Sequence, residues 1–415
     1  MSEALPSYDE AAAVVGAYTS RLVRFKPAVE RVALNLTAGR VLAQALRADQ
    51  DQPPFTRSTR DGFACRATEA SAHAWLSIAG SIRAGEAPPG SLPPDAAWEI
   101  MTGAPVPAGA DAVVMVEHVE KKNGRVRLLP HRGIEAGDNL VAQGAQARKG
   151  DELLASGTRI TYAQIALAAS CGAAALEVFV RPRVAILSTG DELVPVDAAP
   201  ASGQIRNSNA PMLAAMVAAA GGEPWILPTT ADEAGALDAV LASAAEADLL
   251  LITGGVSAGK FDLVEPALAR AGARFHFTGV RMQPGKPLVF GDLPRTRQKL
   301  PFFGLPGNPV SSAVTFLLFA APVLAALAHS ADPSPRFALA RMAPTVHRNG
   351  KPDLTRFLPA ACTFSATRGD LPEVEFVPWH GSGDLAALAR SNCFLVVPEK
   401  ADSLEPGSIV RILLP

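Results

Sequence analysis

The chain has 415 residues, which at roughly 150 residues per domain calls for about two to four domains. Hydrophobic residues make up 48% and charged residues 19%, a mixture that builds large cores and excludes a disordered chain. With 38 Lys and Arg against 40 Asp and Glu the net charge is −2, which excludes the broad basic surface of a nucleic-acid or anionic-membrane binder.

Residues 1–50 read as helical, because residues 8–23 and again 34–46 carry apolar side chains at helical spacing. That pattern stops at Gln52-Pro53-Pro54-Phe55, and a β-rich texture with Gly and Pro turns runs to about Gly144. Within it residues 113–116 are strand-like and residues 117–120 continue the strand. Asn123-Gly124 then supplies the positive-φ pair of a hairpin turn that returns along residues 125–129. Residues 162–171 are helical again, so the β-rich module reads as an insertion into a discontinuous helical domain.

From Arg183 to about Ala328 the rhythm changes. Apolar runs at residues 184–187 and 249–252 alternate with helical stretches at 211–220, 234–245 and 263–271, the pattern of a parallel sheet covered on both faces. Asn209, two residues before Pro211, reads as a helix N-cap. Residues 310–328 carry no charge and approach the length that spans a bilayer. Their Ala-rich composition, with Ser311, Ser312, Thr315 and Pro322, reads instead as a buried core helix of a soluble protein. After Asp332-Pro333-Ser334-Pro335 come short alternating strands such as 393–397 and 409–413, as in a small β domain.

The expected fold class is therefore multidomain α/β. Residues 1–55 with 147–181 form the discontinuous helical domain and 56–146 the inserted β-rich domain; 182–330 form a central doubly wound domain and 331–415 a C-terminal β domain. Four separated cysteines without a CxxC pair, and an N-terminus without the basic-then-apolar pattern of a signal peptide, point to free thiols in the cytoplasm.

In doubly wound sheets ligands bind beyond the carboxyl ends of the strands. Four glycine-bearing polar loops fall there, at residues 188–193, 253–262, 283–287 and 304–309. Each alone reads equally as a plain turn; on one sheet edge they make a site. Residues 254–260 match the start of a phosphate loop, but Phe261 stands where a Mg²⁺-binding hydroxyl belongs, which argues against a P-loop NTPase. Gly254 and Gly255 still admit close backbone approach to a phosphate, and Ser257 adds a hydroxyl. Glu192 and Asp262, expected at neighbouring strand ends, are two hard carboxylates suited to Mg²⁺ with substrate phosphates. Asp262 serves equally as a cap of the following helix. Lys286, after the rigid Pro284-Gly285 turn, reads as a cation aimed at an oxyanion or as a solvated surface lysine. Two further polar loops, 57–64 and 101–111, belong to the β-rich module and its approach, and composition does not connect them to the central loops. No HxH, HExxH or Gly-x-Ser-x-Gly pattern supports zinc or a serine nucleophile.

Taken in order, Asp61-Gly62-Phe63-Ala64, residues 101–116, 188–193 and 256–262, Pro284-Gly285-Lys286-Pro287 and residues 304–311 resemble the molybdopterin molybdenumtransferase family. These are the molybdenum insertases of molybdenum-cofactor biosynthesis, related to the E domain of gephyrin. The resemblance runs from about residue 8 to the C-terminus. It implies an elongated homodimer of four-domain subunits with a central domain of molybdopterin-binding type. It further implies a transferase that takes adenylyl-molybdopterin and molybdate, needs Mg²⁺, releases AMP and places molybdenum on the dithiolene sulfurs.

Family functional positions fall on Asp61, Thr102, Glu192, Asp232, Asp262, Pro306 and Pro309, while Lys286, Ser257 and Ser391 match positions lining the oxyanion end. The resemblance thus implies catalytic roles for Asp61, Thr102, Glu192 and Asp262, with Glu192 and Asp262 on the metal. It assigns substrate contacts to Gly254, Gly255, Ser257, Lys286, Asp232, Pro306, Pro309 and Ser391. Asp61 is expected to come from the dimer partner. The implied partners are molybdopterin adenylyltransferase upstream and acceptor molybdoenzymes downstream, with no nucleic acid and no membrane. Arg57, Arg60 and Gln283 depart from the family pattern, and the lysine that many members carry at the last of these is lost. That loss leaves the molybdate subsite less positive and bears on the choice between molybdate and tungstate. Two other readings are a molybdopterin adenylyltransferase, whose fold resembles the central domain alone, and a non-catalytic scaffold of gephyrin type.

Overall fold

The computed structural model describes residues 5–22, 27–87, 90–229, 234–255, 264–295, 299–343, 347–348, 353–363, 371–401 and 403–415. Its centre is a six-stranded sheet. The strands are Arg183–Ser188 (β1), Glu223–Ile226 (β2), Leu249–Thr253 (β3), Arg274–Thr278 (β4), Val289–Leu293 (β5) and Leu300–Leu305 (β6), in spatial order β2-β1-β3-β6-β5-β4. Strands β2, β1, β3 and β6 are mutually parallel, whereas β5 runs antiparallel to both β6 and β4. The sheet is therefore mixed rather than wholly parallel. The reason lies in the connections: a parallel crossover takes a dozen or more residues and usually a helix, and the links on either side of β5 are too short for one.

Alternation along the strands splits the core into two layers. The helices Tyr8–Leu22 (α1), Asn209–Ala219 (α2) and Pro309–Thr315 (α5) cover the face carrying Val184, Ile186, Leu249 and Leu251. Helices Ala234–Ser243 (α3) and Val264–Arg270 (α4) cover the opposite face, carrying Ala185, Leu187, Leu250 and Ile252. Phe290 and Phe303, on neighbouring strands, stack with ring centroids 4.5 Å apart. The helix begun by α5 continues through a π-type turn, Phe316–Ala320, to Leu327. By length and composition it passes as a membrane span, yet most of it is buried inside the protein against α1 and the sheet. Helix α1 itself joins this central core, with Tyr8 edge-on to Phe319 and to Phe357 of the C-terminal domain, at 6.0 and 5.2 Å.

Between α1 and β1 lie two further assemblies. Val29–Ala33 pairs antiparallel with Ala175–Phe179, and Leu46–Arg47 with Glu152–Leu154, so distant segments meet. Helix Tyr162–Ser170 packs there, started by a Thr161/Gln164 capping box. The helix expected over residues 34–46 is not formed. Only the 3₁₀ turn Leu34–Leu36 appears, closed by the Thr37 hydroxyl on the Leu34 carbonyl, and Val41 and Leu42 bridge instead to Arg159 and Val178. Long-range pairing overrides the local apolar spacing.

The inserted module is a six-stranded sheet in the order Ala112–Met115, Gly62–Cys65, Ala96–Ile100, Leu76–Ile82, Arg125–Leu128, Val119–Lys122. Asn123 and Gly124 make the expected hairpin with φ of 50° and 72°. Residues 116–118 form a 3₁₀ turn rather than continuing the strand before them. In the C-terminal domain five strands close on themselves, because Thr355–Thr363 pairs with both Glu373–Phe376 and Cys393–Val397. The short strand Met282–Gln283, just before the Pro284-Gly285-Lys286 turn, adds in parallel to Thr355 and Arg356 and ties the central domain to this barrel.

Candidate functional site

The carboxyl ends of β1, β3 and β6 and the turn leading into β5 open onto one cavity of about 770 Å³. Its floor is built from backbone. Beyond the sheet, the Thr189 amide donates to the Thr253 carbonyl at 3.0 Å, so the ends of β1 and β3 stay joined. The next residue, Gly254, has φ +94°, and a Cβ there would lie 2.3 Å from the Thr189 carbonyl oxygen. Only glycine fits at this close approach, and Gly254 and Gly255 both line the cavity.

Side-chain amides stitch the remaining loops. Asn207 Oδ1 accepts from the Ala210 amide at 3.1 Å and so performs the capping expected of Asn209. Asn209 turns inward instead: its Nδ2 donates to Thr253 Oγ1 at 2.8 Å and to the Gly307 carbonyl at 2.6 Å. The Ser312 hydroxyl donates to the Pro306 carbonyl, fixing the loop after β6 to α5. The C-terminal barrel supplies the last wall. The Val310 amide donates to the Ser382 carbonyl at 3.0 Å, and Gly383 and Leu385 line the cavity. Asp384 between them accepts from the Ala387 and His380 amides, two bonds that hold its carboxyl below the usual carboxylate range.

Of the residues singled out from the sequence, Glu192, Gly254, Gly255, Pro306 and Pro309 share this wall. Among the described residues lining it, Glu192 is the one acidic side chain and Arg206 the one basic side chain. The Arg206 Nε donates to the Ala198 carbonyl at 3.0 Å. Lys286 is exposed and immediately precedes Pro287, which lines the cavity. Ser391 lies off the wall, its hydroxyl donating to the Ala387 carbonyl at 2.7 Å where helix Leu385–Arg390 ends. Asp232, Ser257 and Asp262 lie outside the described residues.

Asp61 and Thr102 form a separate pair on the inserted module. The Thr102 amide and hydroxyl both donate to Asp61 Oδ1, at 2.7 and 2.8 Å. The amide first and the hydroxyl second hold the Asp61 carboxyl below its ordinary value. Both residues are exposed, and neither lines the cavity of its own chain.

Thr189 falls in the expected loop 188–193, whereas Asn207, Gly383 and Leu385 are wall residues that the sequence does not single out, and Asn209 is a stitch rather than the expected cap. The run Asn207-Ser208-Asn209 before a helix carried a signal for the first helix turn, but none for the stitch to Thr253 and Gly307. The contribution of Gly383 and Leu385 depends on tertiary packing alone.

Residues 6–172 match the family described as MoeA N-terminal region (domain I and II). Residues 185–326 match a probable molybdopterin binding domain, and residues 344–414 the MoeA C-terminal region (domain IV). A protein of Bacillus subtilis (strain 168) named molybdopterin molybdenumtransferase is 36% identical over 397 residues, spanning 93% of this chain and 89% of that one. Its namesake from Nostoc sp. is 34% identical over 387 residues, 90% of this chain and 86% of that one. Among solved structures, the molybdopterin biosynthesis moeA protein of Pyrococcus horikoshii superposes with a TM-score of 0.80 at 26% identity, covering 99% of this chain and 100% of that one.

Proposed function

The chain belongs to the molybdopterin molybdenumtransferase family, and we propose that it inserts molybdenum from molybdate into the dithiolene of adenylyl-molybdopterin, releasing AMP. The observation that carries this reading is the convergence of the strand-end loops after β1, β3 and β6 on one cavity with Glu192 on its wall. A wall so poor in charged side chains suits a phosphoanhydride held by backbone amides and the first turn of α2.

Mg²⁺ commonly takes one or two carboxylates and completes its shell with phosphate oxygens and water. The donor set fits such an ion. Glu192 is exposed on the wall, and among the described residues no three His, Cys, Asp or Glu side chains converge as a self-sufficient metal set. Glu192, with Asp262, would hold an ion that enters together with a phosphate. When bound, it supplies charge neutralisation on the anhydride and on the departing AMP.

The chain's own groups do the rest. The Gly254 and Gly255 amides take phosphoryl oxygens, and Pro306 and Pro309 shape the loop that faces them. Asp232 completes the substrate contacts, and Lys286, Ser257 and Ser391 serve the oxyanion end. Asp61, kept ionised by Thr102, comes from the second copy in a homodimer and orients the attacking oxygen. Gln283 in place of a lysine leaves the oxyanion subsite one positive charge short, which bears on its affinity for molybdate and on the choice between molybdate and tungstate. The cysteines, all buried and unpaired, suit a reducing compartment, and we assign the activity to the cytoplasm, between a molybdopterin adenylyltransferase and the acceptor molybdoenzymes.

The test is AMP release from adenylyl-molybdopterin with molybdate and Mg²⁺. Glu192→Ala is expected to stop release while the melting temperature stays unchanged. Unimpaired release in that variant removes Glu192 from the mechanism. Adenylate formation from MgATP and molybdopterin by the unaltered protein overturns the insertase assignment itself.

A further inference from the structure

We infer that Asn209 is a positioning residue for this reaction: its side-chain amide clamps the Gly254-Gly255 turn to the loop after β6, and so sets the geometry of the phosphate end of the cavity. The inference rests on the reading above for what the cavity binds, but not for the clamp itself.

The observations that carry it are these. The Asn209 Nδ2 donates both to Thr253 Oγ1, the last residue of β3 before the two glycines, and to the Gly307 carbonyl, at 2.8 and 2.6 Å. Both protons of one planar amide are thereby committed to two different loops, and a side chain lacking that pair of donors cannot hold both. The two loops are near neighbours, since a Cβ on Gly307 would sit 3.6 Å from the Gly254 Cα, at ordinary van der Waals distance. With no Cβ there, the Asn209 amide is what ties one loop to the other. Finally, Asn209 is only 9% exposed, Thr253 only 2%, and both line the cavity, so this polar link is buried within the wall rather than solvated at the surface. Asn209 Oδ1 and the neighbouring Thr189 Oγ1 are buried without a hydrogen-bond partner among the described residues. A link present only for stability would be expected to satisfy its own members.

Rates fall by orders of magnitude when groups facing a reacting bond are displaced by about an ångström. Asn209→Asp keeps the shape but turns the donor pair into acceptors facing a carbonyl and a hydroxyl. It is expected to lower kcat for AMP release by about thirtyfold or more, with KM changed by less than about threefold and the circular dichroism spectrum retained. Thr253→Val removes one arm and is expected to lower kcat about threefold to tenfold, with Thr253→Ser restoring most of the loss. Amide hydrogen exchange on the ligand-free protein reads the clamp without any activity: segments 249–255 and 304–309 are expected to lose protection together in Asn209→Asp. A folded Asn209→Asp variant with kcat within about threefold of the unaltered protein and unchanged exchange in both segments overturns the inference. Should that variant fail to fold, Thr253→Val decides: kcat and exchange both unchanged sink it. If the unaltered protein releases no AMP, the functional reading falls, and the exchange measurement still judges the clamp.

Discussion

The cavity at the edge of the central sheet and the Asp61–Thr102 pair on the inserted module are built on opposite plans. In the first, loops from several strand ends and from another domain are packed backbone against backbone, so that Gly254 has 2.3 Å between its would-be Cβ and the Thr189 carbonyl oxygen. In the second, one carboxylate is oriented by a single neighbouring residue and left open to solvent. The turn beside it is loose as well, because a Cβ on Gly103 would meet its nearest atom, Ala84 Cβ, only at 3.8 Å. A cavity with no slack holds a substrate by itself. On the proposed reading, an exposed, pre-oriented carboxylate is half of a site and needs a facing surface to become whole.

The largest effect that would break this contrast is at Gly254. Gly254→Ala is expected to cut AMP release by about a hundredfold or more, since either the Thr189 or the Gly254 backbone must move. Full activity in a steady-state assay would show that the floor yields. Next comes subunit mixing. Asp61→Ala and Glu192→Ala chains are each expected to be inactive alone. Co-refolded in equal amounts, they should regain about one quarter of the unaltered activity, because half of the dimers are mixed and each mixed dimer has one intact site. No recovery would place Asp61 in its own chain's site, and an Asp61→Ala chain active alone would place it outside the reaction.

A smaller effect is expected at the loose turn. Gly103 has φ +82° but open space, so Gly103→Ala carries only the backbone cost of a left-handed alanine, about 1–2 kcal/mol in a denaturant titration. A much larger loss would show a steric constraint there after all.

The smallest effect separates the two hydrogen bonds on Asp61. Its folded-state pKa is lowered, so the stability it contributes is present above the unfolded carboxylate value and disappears as pH falls through the folded value. Thr102→Val keeps the amide donor and deletes the hydroxyl. The carboxyl is then expected to titrate part of the way back toward its ordinary value, followed by carbon-13 NMR, and the acid limb of the activity profile should move to higher pH. An unmoved titration would mean that the amide alone holds the carboxylate.

The sheet edge was legible because its determinants are local. Uninterrupted apolar runs such as residues 249–252 cannot be anything but buried strands once helices flank them, and glycine-bearing loops at their ends follow from that. What escaped was decided at a distance. The apolar spacing of Leu34, Leu36, Val41, Leu42 and Leu46 suits a helix, yet the segment's partners are strands some 120–140 residues downstream in the chain, at Arg159 and Val178 among others. The antiparallel end of the central sheet turned on connection length, a weaker cue than hydrophobicity. Asn209 was misread for a related reason: asparagine before a helix is so commonly a cap that its alternative, a buried stitch between two loops, leaves no separate mark in the sequence.

Helix α1 has a consequence for any attempt to dissect the chain. Tyr8, Ala11, Val15 and Leu22 are part of the same apolar layer as Phe319 and Val323, so the central fold is not autonomous. Excised at its obvious borders, it would carry an oily groove into water and tend to aggregate. An internal deletion that splices α1 directly ahead of β1 and keeps the C-terminal barrel, whose Phe357 and Leu413 belong to the same layer, is the smallest unit expected to stay dispersed, since it restores that cover without the two intervening assemblies.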